Sequence, residues 1–282
     1  MAALRSRPVE SYCRLQANVS LKIWSMKTSW LRVALLNFFL AAVLGAILRY
    51  AFVAELDWMN FRHVLHAHSH MAMLGWLYLA LFALLVHAFL PLKAQASRSL
   101  KRLFWATQAS VLGMLLTFPF MGYAGPSIAF SSLHVLLSYA FVWLFWRKLP
   151  RSDAFSYSFV KASLLFMVLS TLALWATAPI ILFQLKGSAL YYAAIQFFLH
   201  FQFNGWFLFA ALALFLKYAE GRGLQFPART MRWVFALLAV SCFLTYALAV
   251  AWSNPLPVIF WINSAGVLLQ LGAAVLFVRL VW

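Results

Sequence analysis

His70-Met-Ala-Met-Leu-Gly75-Trp76 and His200-Phe-Gln-Phe-Asn-Gly205-Trp206 share the pattern His-x-x-x-x-Gly-Trp, and each runs on into apolar sequence. The two stretches lie 130 residues apart, and the likeness continues through Ala80 and Ala210, Ala83 and Ala213, and Leu84 and Leu214. An imidazole inside an apolar span is costly and is rarely placed there without a partner. The same histidine in both halves of the chain predicts that the two face one shared object.

The rest of the chain says what kind of surroundings these histidines have. Of its 282 residues, 66% are hydrophobic and 10% are charged, whereas an ordinary globular domain carries about a quarter charged residues. A soluble fold could not hide so much apolar surface, so the expected solvent is lipid. Eight apolar stretches reach the roughly 20 helical residues that cross a bilayer. They fall near 31–53, 64–89, 102–122, 127–147, 160–183, 188–216, 232–252 and 257–280. Breakers separate them: Pro91, Gly125-Pro126, Pro150, Gly187, Gly221 to Gly223, Pro227 and Asn254-Pro255.

The net charge of +17 would suit a polyanion-binding protein, but its distribution argues otherwise. Nineteen of the basic residues fall in the N-terminal tail, in the second, fourth and sixth connections, or at the end of the last span, leaving only Arg49, Arg62 and Lys186 on the opposite side. That asymmetry predicts cytoplasmic termini and a multi-pass protein of the cytoplasmic (inner) membrane. No nucleic-acid partner is expected. Residues 1–30 read as a basic cytoplasmic tail without a function of its own, and a cleaved signal peptide is not expected because the first apolar span is too long. Cys13 and Cys242 lie in unlike settings and suggest no disulfide.

The duplication extends beyond the histidine motifs. Leu31-Arg-Val-Ala-Leu-Leu36 matches Val160-Lys-Ala-Ser-Leu-Leu165 at an offset of 129, and Arg102-Leu-Phe-Trp pairs with Arg232-Trp-Val-Phe at 130. The expected fold is therefore an all-α polytopic membrane protein of eight transmembrane helices in two parallel four-helix repeats, residues 31–150 and 151–282.

Within that frame the histidines can be placed. His70 sits 21 residues before Pro91 and His200 sits 20 before Glu220, so both fall about 30 Å above the cytoplasmic ends of their helices, in the outer part of the bilayer. His134 falls at a similar level, His63, His66 and His68 lie just outside it, and His87 is near the cytoplasmic face. His63, His66 and His70 share a helical stripe, while His68 faces another neighbour. That arrangement suits two adjacent metal centres, with His66, His68 and His134 as candidates for the second. The acids Glu10, Glu55, Asp57, Asp153 and Glu220 all lie outside the expected spans. A carboxylate-bridged di-iron site, a carboxylate sodium site and an acidic proton relay therefore have no residues to use. What remains is neutral imidazole beside Met71 and Met73, a chemistry suited to haem iron, copper or zinc. The plainer expectation is that such histidines form hydrogen bonds between helices, and that Gly75 and Gly205 serve close helix packing.

His66-Ala-His68-Ser-His70-Met-Ala-Met-Leu-Gly75 resembles the His-x-His helix of the haem-copper oxidase subunit I superfamily, which includes the nitric oxide reductases. It is more similar still to the His-Ala-His segment of the NnrS family of haem- and copper-containing membrane proteins. Leu199-His200-Phe-Gln-Phe-Asn-Gly205 resembles the His-Phe-His helix of the oxidases, with Gln202 in place of the second histidine. The resemblance implies a b-type haem held axially by His70 and His200, possible copper, and electron transfer or NO or O₂ handling in the outer half of the membrane. An oxidoreductase with a redox partner or further membrane subunits would fit it. The departures bear on oxygen reduction: the oxidases have twelve spans, and this chain has neither a His-Pro-Glu-Val-Tyr helix nor an adjacent histidine pair. The alternative is a transporter for a transition metal or small solute, with its histidine site between the repeats. A structural subunit anchoring a redox partner is a third reading.

Overall fold

The computed structural model describes residues 28–251, 253 and 255–281; the basic tail expected over 1–30 lies almost wholly outside them. The described residues are helical, without strands, and eight helices are long and apolar enough to cross a membrane. They are α1 (Thr28–Tyr50), α2 (Phe61–Phe89), α3 (Arg98–Met121), α4 (Gly125–Lys148), α5 (Phe155–Leu182), α6 (Ala189–Gly221), α7 (Ala228–Ala251) and α8 (Pro257–Val281). A single turn, Leu92–Gln95, sits in the connection after α2.

The helix edges differ from the apolar windows at several ends. α3 starts at Arg98 rather than near 102, and α5 at Phe155 rather than near 160. At α3 the hydropathy window stops at the basic residues Arg98, Lys101 and Arg102, whereas the backbone continues helical through them because Arg and Lys stems run along apolar surface to reach water. Local capping also sets the starts. Asn60 Oδ1 accepts from the His63 amide at the head of α2, and Ser188 Oγ accepts from the Tyr191 amide at the head of α6. For α5 the cap is tertiary. The Glu220 carboxylate, at the end of α6, accepts from the Ser156 amide (3.1 Å) and hydroxyl (2.6 Å), placing negative charge on an N-terminus where the helix dipole favours it.

Each half of the chain has the same order of helix neighbours. α2 packs on α1 and α3, and α3 on α4; likewise α6 packs on α5 and α7, and α7 on α8. The halves meet where Leu79–Phe89 of α2 lies against Leu208–Gly221 of α6, and where α4 touches α5. The N-terminal segments Phe61–His70 and Ala189–His200, which end on the two key histidines, pack instead on neighbours within their own half. The core of the first half is an aromatic column. Trp30 stacks on Phe104 at 4.5 Å, Phe82 stacks on Phe141 at 4.2 Å, and Phe82 meets Phe104 edge-on at 5.5 Å. Such pairs contribute about 0.5–1.5 kcal/mol each beyond their burial.

The uniform helices expected for α2 and α6 are interrupted at matching places. Met71–Tyr78 and Phe201–Phe207 are π-helical, beginning one residue after His70 and one residue after His200. A π turn inserts a residue, widens the helix and shifts the backbone ladder, and in proteins it is found frequently at functional sites.

Candidate functional site

The first π segment is held by a buried polar clamp. The wider turn leaves the Gly75 carbonyl open to a second donor, and Asn37 Nδ2 of α1 supplies it at 2.8 Å. Asn37 and Gln108 of α3 also exchange hydrogen bonds, 2.7 Å from Asn37 Nδ2 to Gln108 Oε1 and 3.2 Å back from Gln108 Nε2. Both amides are buried. In the second half, at the matching offset, Phe166 of α5 takes the place of Asn37 and covers Gly205. A Cβ there would lie 2.6 Å from the Phe166 ring. Gly75 and Gly205 are thus sites of close helix approach, as their positions in the motif suggest.

The histidines of α2 turn in two directions. His66 and His70 face α3 and the turn that follows it. His70 stacks on Phe118 at 4.2 Å, and His66 meets the Tyr123 ring edge-on at 4.7 Å. Nδ1 of His70 lies 2.8 Å from the His66 carbonyl; a carbonyl can only accept, so Nδ1 carries the proton and Nε2 keeps its lone pair. His68 points the other way, with Nδ1 2.8 Å from the Ala41 carbonyl of α1 and its ring against Gly45. His63 packs over Gly122, whose φ of +56° favours glycine.

His134 of α4 is buried among different groups. Its ring meets Tyr78 edge-on at 4.8 Å. The three candidates for a second metal site, His66, His68 and His134, are set against different neighbours. The three face Tyr123, α1 and Tyr78 respectively, and among the described residues no three His, Cys, Asp or Glu side chains come together as a metal-binding group. His66 and His68 point to different sides of α2, and His134 comes from α4.

His200 is engaged at both ring nitrogens. Nε2 lies 2.7 Å from the Cys242 carbonyl of α7, and Nδ1 lies 3.3 Å from Asn204 Nδ2. Nε2 is therefore the protonated nitrogen, and the ring links α6 to α7. Tested against a haem iron, which bonds a bare imidazole nitrogen, His70 fits as it stands. His200 fits only on exchange of its bond to Cys242, whose helical carbonyl retains its own backbone bond after that exchange.

Sequence reasoning missed the π segments, the Asn37–Gln108 clamp and the enclosed position of Tyr78 and Trp206. The signal for the clamp was present: an amide residue in an apolar span demands a partner, as a histidine does. No protein-family model, curated protein or solved structure matches this chain.

Proposed function

We propose that the chain is a multi-pass membrane haem protein, with a b-type haem held by His70 and His200 near the outer side of the bilayer and serving electron transfer or the handling of NO or O₂. The observation that carries the reading is the state of His70. Its Nδ1–H is spent on the His66 carbonyl, which fixes the tautomer and ring orientation and leaves Nε2 available. Metal-ligating histidines are held in this way by an outer hydrogen bond. The π turn directly below each histidine adds support, since it gives both halves the same local departure from α geometry at the same place.

The iron, when bound, supplies one-electron chemistry or a seat for a diatomic gas. The chain's own part is to orient and to exclude water. Phe118 and Tyr123 wall the His70 ring, and Phe201 and Tyr246 flank His200. The N-terminal segments of α2 and α6, each packed on its own half, leave the haem to bridge between halves.

An optical spectrum tests the reading. Protein purified from cells with intact haem synthesis should show, when reduced, the sharp α and β bands of a low-spin centre. His70→Ala and His200→Ala should each abolish them. Protein without haem absorbance would overturn the reading. It would favour the alternative, a transporter with a site between the two halves, for which metal uptake into proteoliposomes is the assay.

A further inference from the structure

Where the two halves meet, three buried polar atoms have no protein partner: the Tyr78 hydroxyl, His134 Nε2 and Trp206 Nε1. Their side chains are 2%, 2% and 0% exposed. They are neighbours, since Tyr78 meets His134 at 4.8 Å and Trp206 at 6.2 Å between ring centres. They also come from three helices, α2, α4 and α6, with Tyr78 ending one π segment and Trp206 lying in the other. A buried polar group left without a partner is rare because its lost hydration is not recovered. Three at one seam point to a guest.

The hydrogen-bonding character of the three atoms defines that guest. Trp206 Nε1–H can only donate, so the guest must accept there. His134 Nε2 belongs to an imidazole whose neutral form donates from one ring nitrogen and accepts at the other, so the guest must be able to meet it in either role. The Tyr78 hydroxyl can do either. A metal cation is repelled by the indole N–H. The small molecule that both donates and accepts is water, and two to four polar partners are what a buried water requires.

We propose that the Tyr78–His134–Trp206 seam is an internal water site that joins the two halves through hydrogen bonds. The site involves neither His70 nor His200 and stands whether or not the protein binds haem.

The test is hydroxyl-radical labelling by X-ray radiolysis of the full chain in nanodiscs, in ¹⁸O water, because a radical formed from bound water reacts beside its source. Tyr78 and Trp206 should take up ¹⁸O several-fold faster than Phe82 and Phe141, which are equally buried aromatic residues of α2 and α4. Rates equal to those of Phe82 and Phe141 would overturn the proposal. Tyr78→Phe gives a second reading with opposite signs. In a dry seam, deleting an unsatisfied hydroxyl leaves the Tm unchanged or raises it, whereas in a hydrated one it removes a bond and lowers the Tm. An unchanged or raised Tm would likewise overturn it.

Discussion

Asn37 donates 2.8 Å to the carbonyl of Gly75, and the residue that stands at its place in the second half, Phe166, covers Gly205 by ring packing. One half thus closes its π turn with a hydrogen bond and the other with an aromatic ring. The backbone departure is common to both halves, but the means of supporting it is not.

The clamp predicts a non-additive pair. Asn37→Ala strips the Gly75 carbonyl of its second donor and leaves Gln108 buried with its amide unpaired, a loss of about 1–3 kcal/mol. Gln108→Ala strands Asn37 in turn. The double variant should be less destabilised than the sum of the singles, because no orphaned amide remains. Thermal unfolding of the four proteins in one detergent measures the coupling, and additivity would show the two amides to be independent.

The glycines should differ in tolerance. A Cβ at Gly205 meets Phe166 at its own Cβ and Cγ, 2.6–2.7 Å away, close to the α5 backbone where nothing can swing aside. At Gly75 the contacts are 3.0–3.3 Å, to Val111, Asn37 and Met71. Gly205→Ala should therefore cost about 1–3 kcal/mol through overpacking, and Gly75→Ala less. The order of their Tm values checks this.

His68 and His87 serve as controls for the haem reading. His68→Ala breaks the contact of α2 with the Ala41 carbonyl, and a hydrogen bond of this kind between membrane helices contributes about 0.6 kcal/mol on average. A small drop in Tm with an unaltered haem spectrum and unaltered iron content is expected. His87, near the opposite end of α2, should also leave the spectrum unchanged when replaced by alanine. Loss of the low-spin bands in either variant would move the ligand away from His70.

Topology can be read with reporter fusions. The charge asymmetry predicts cytoplasmic signals at Lys93, Arg151 and Arg222 and external ones at Gly125 and Lys186. An external signal at Arg222 would reverse the second half against the first and remove the parallel repeat.

The sequence by itself determined that this is a helical chain with eight apolar segments of spanning length, because composition and segment length follow from the residues alone. It also singled out His70 and His200, since a histidine in an apolar span is conspicuous wherever the chain folds, but not Asn37, Gln108, Tyr78 or Trp206. Only the tertiary structure decided what those residues touch. Whether His200 presents a bare nitrogen or spends it on Cys242, and whether His66, His68 and His134 converge, depends on helix rotation and on the identity of the neighbouring helix. A periodic apolar sequence leaves both nearly undetermined, because all its faces are alike to lipid. The π turns were hidden for the same reason. Their cost is offset by partners such as Asn37 and Phe166, which lie 38 and 39 residues away along the chain and meet Gly75 and Gly205 only when the helices pack.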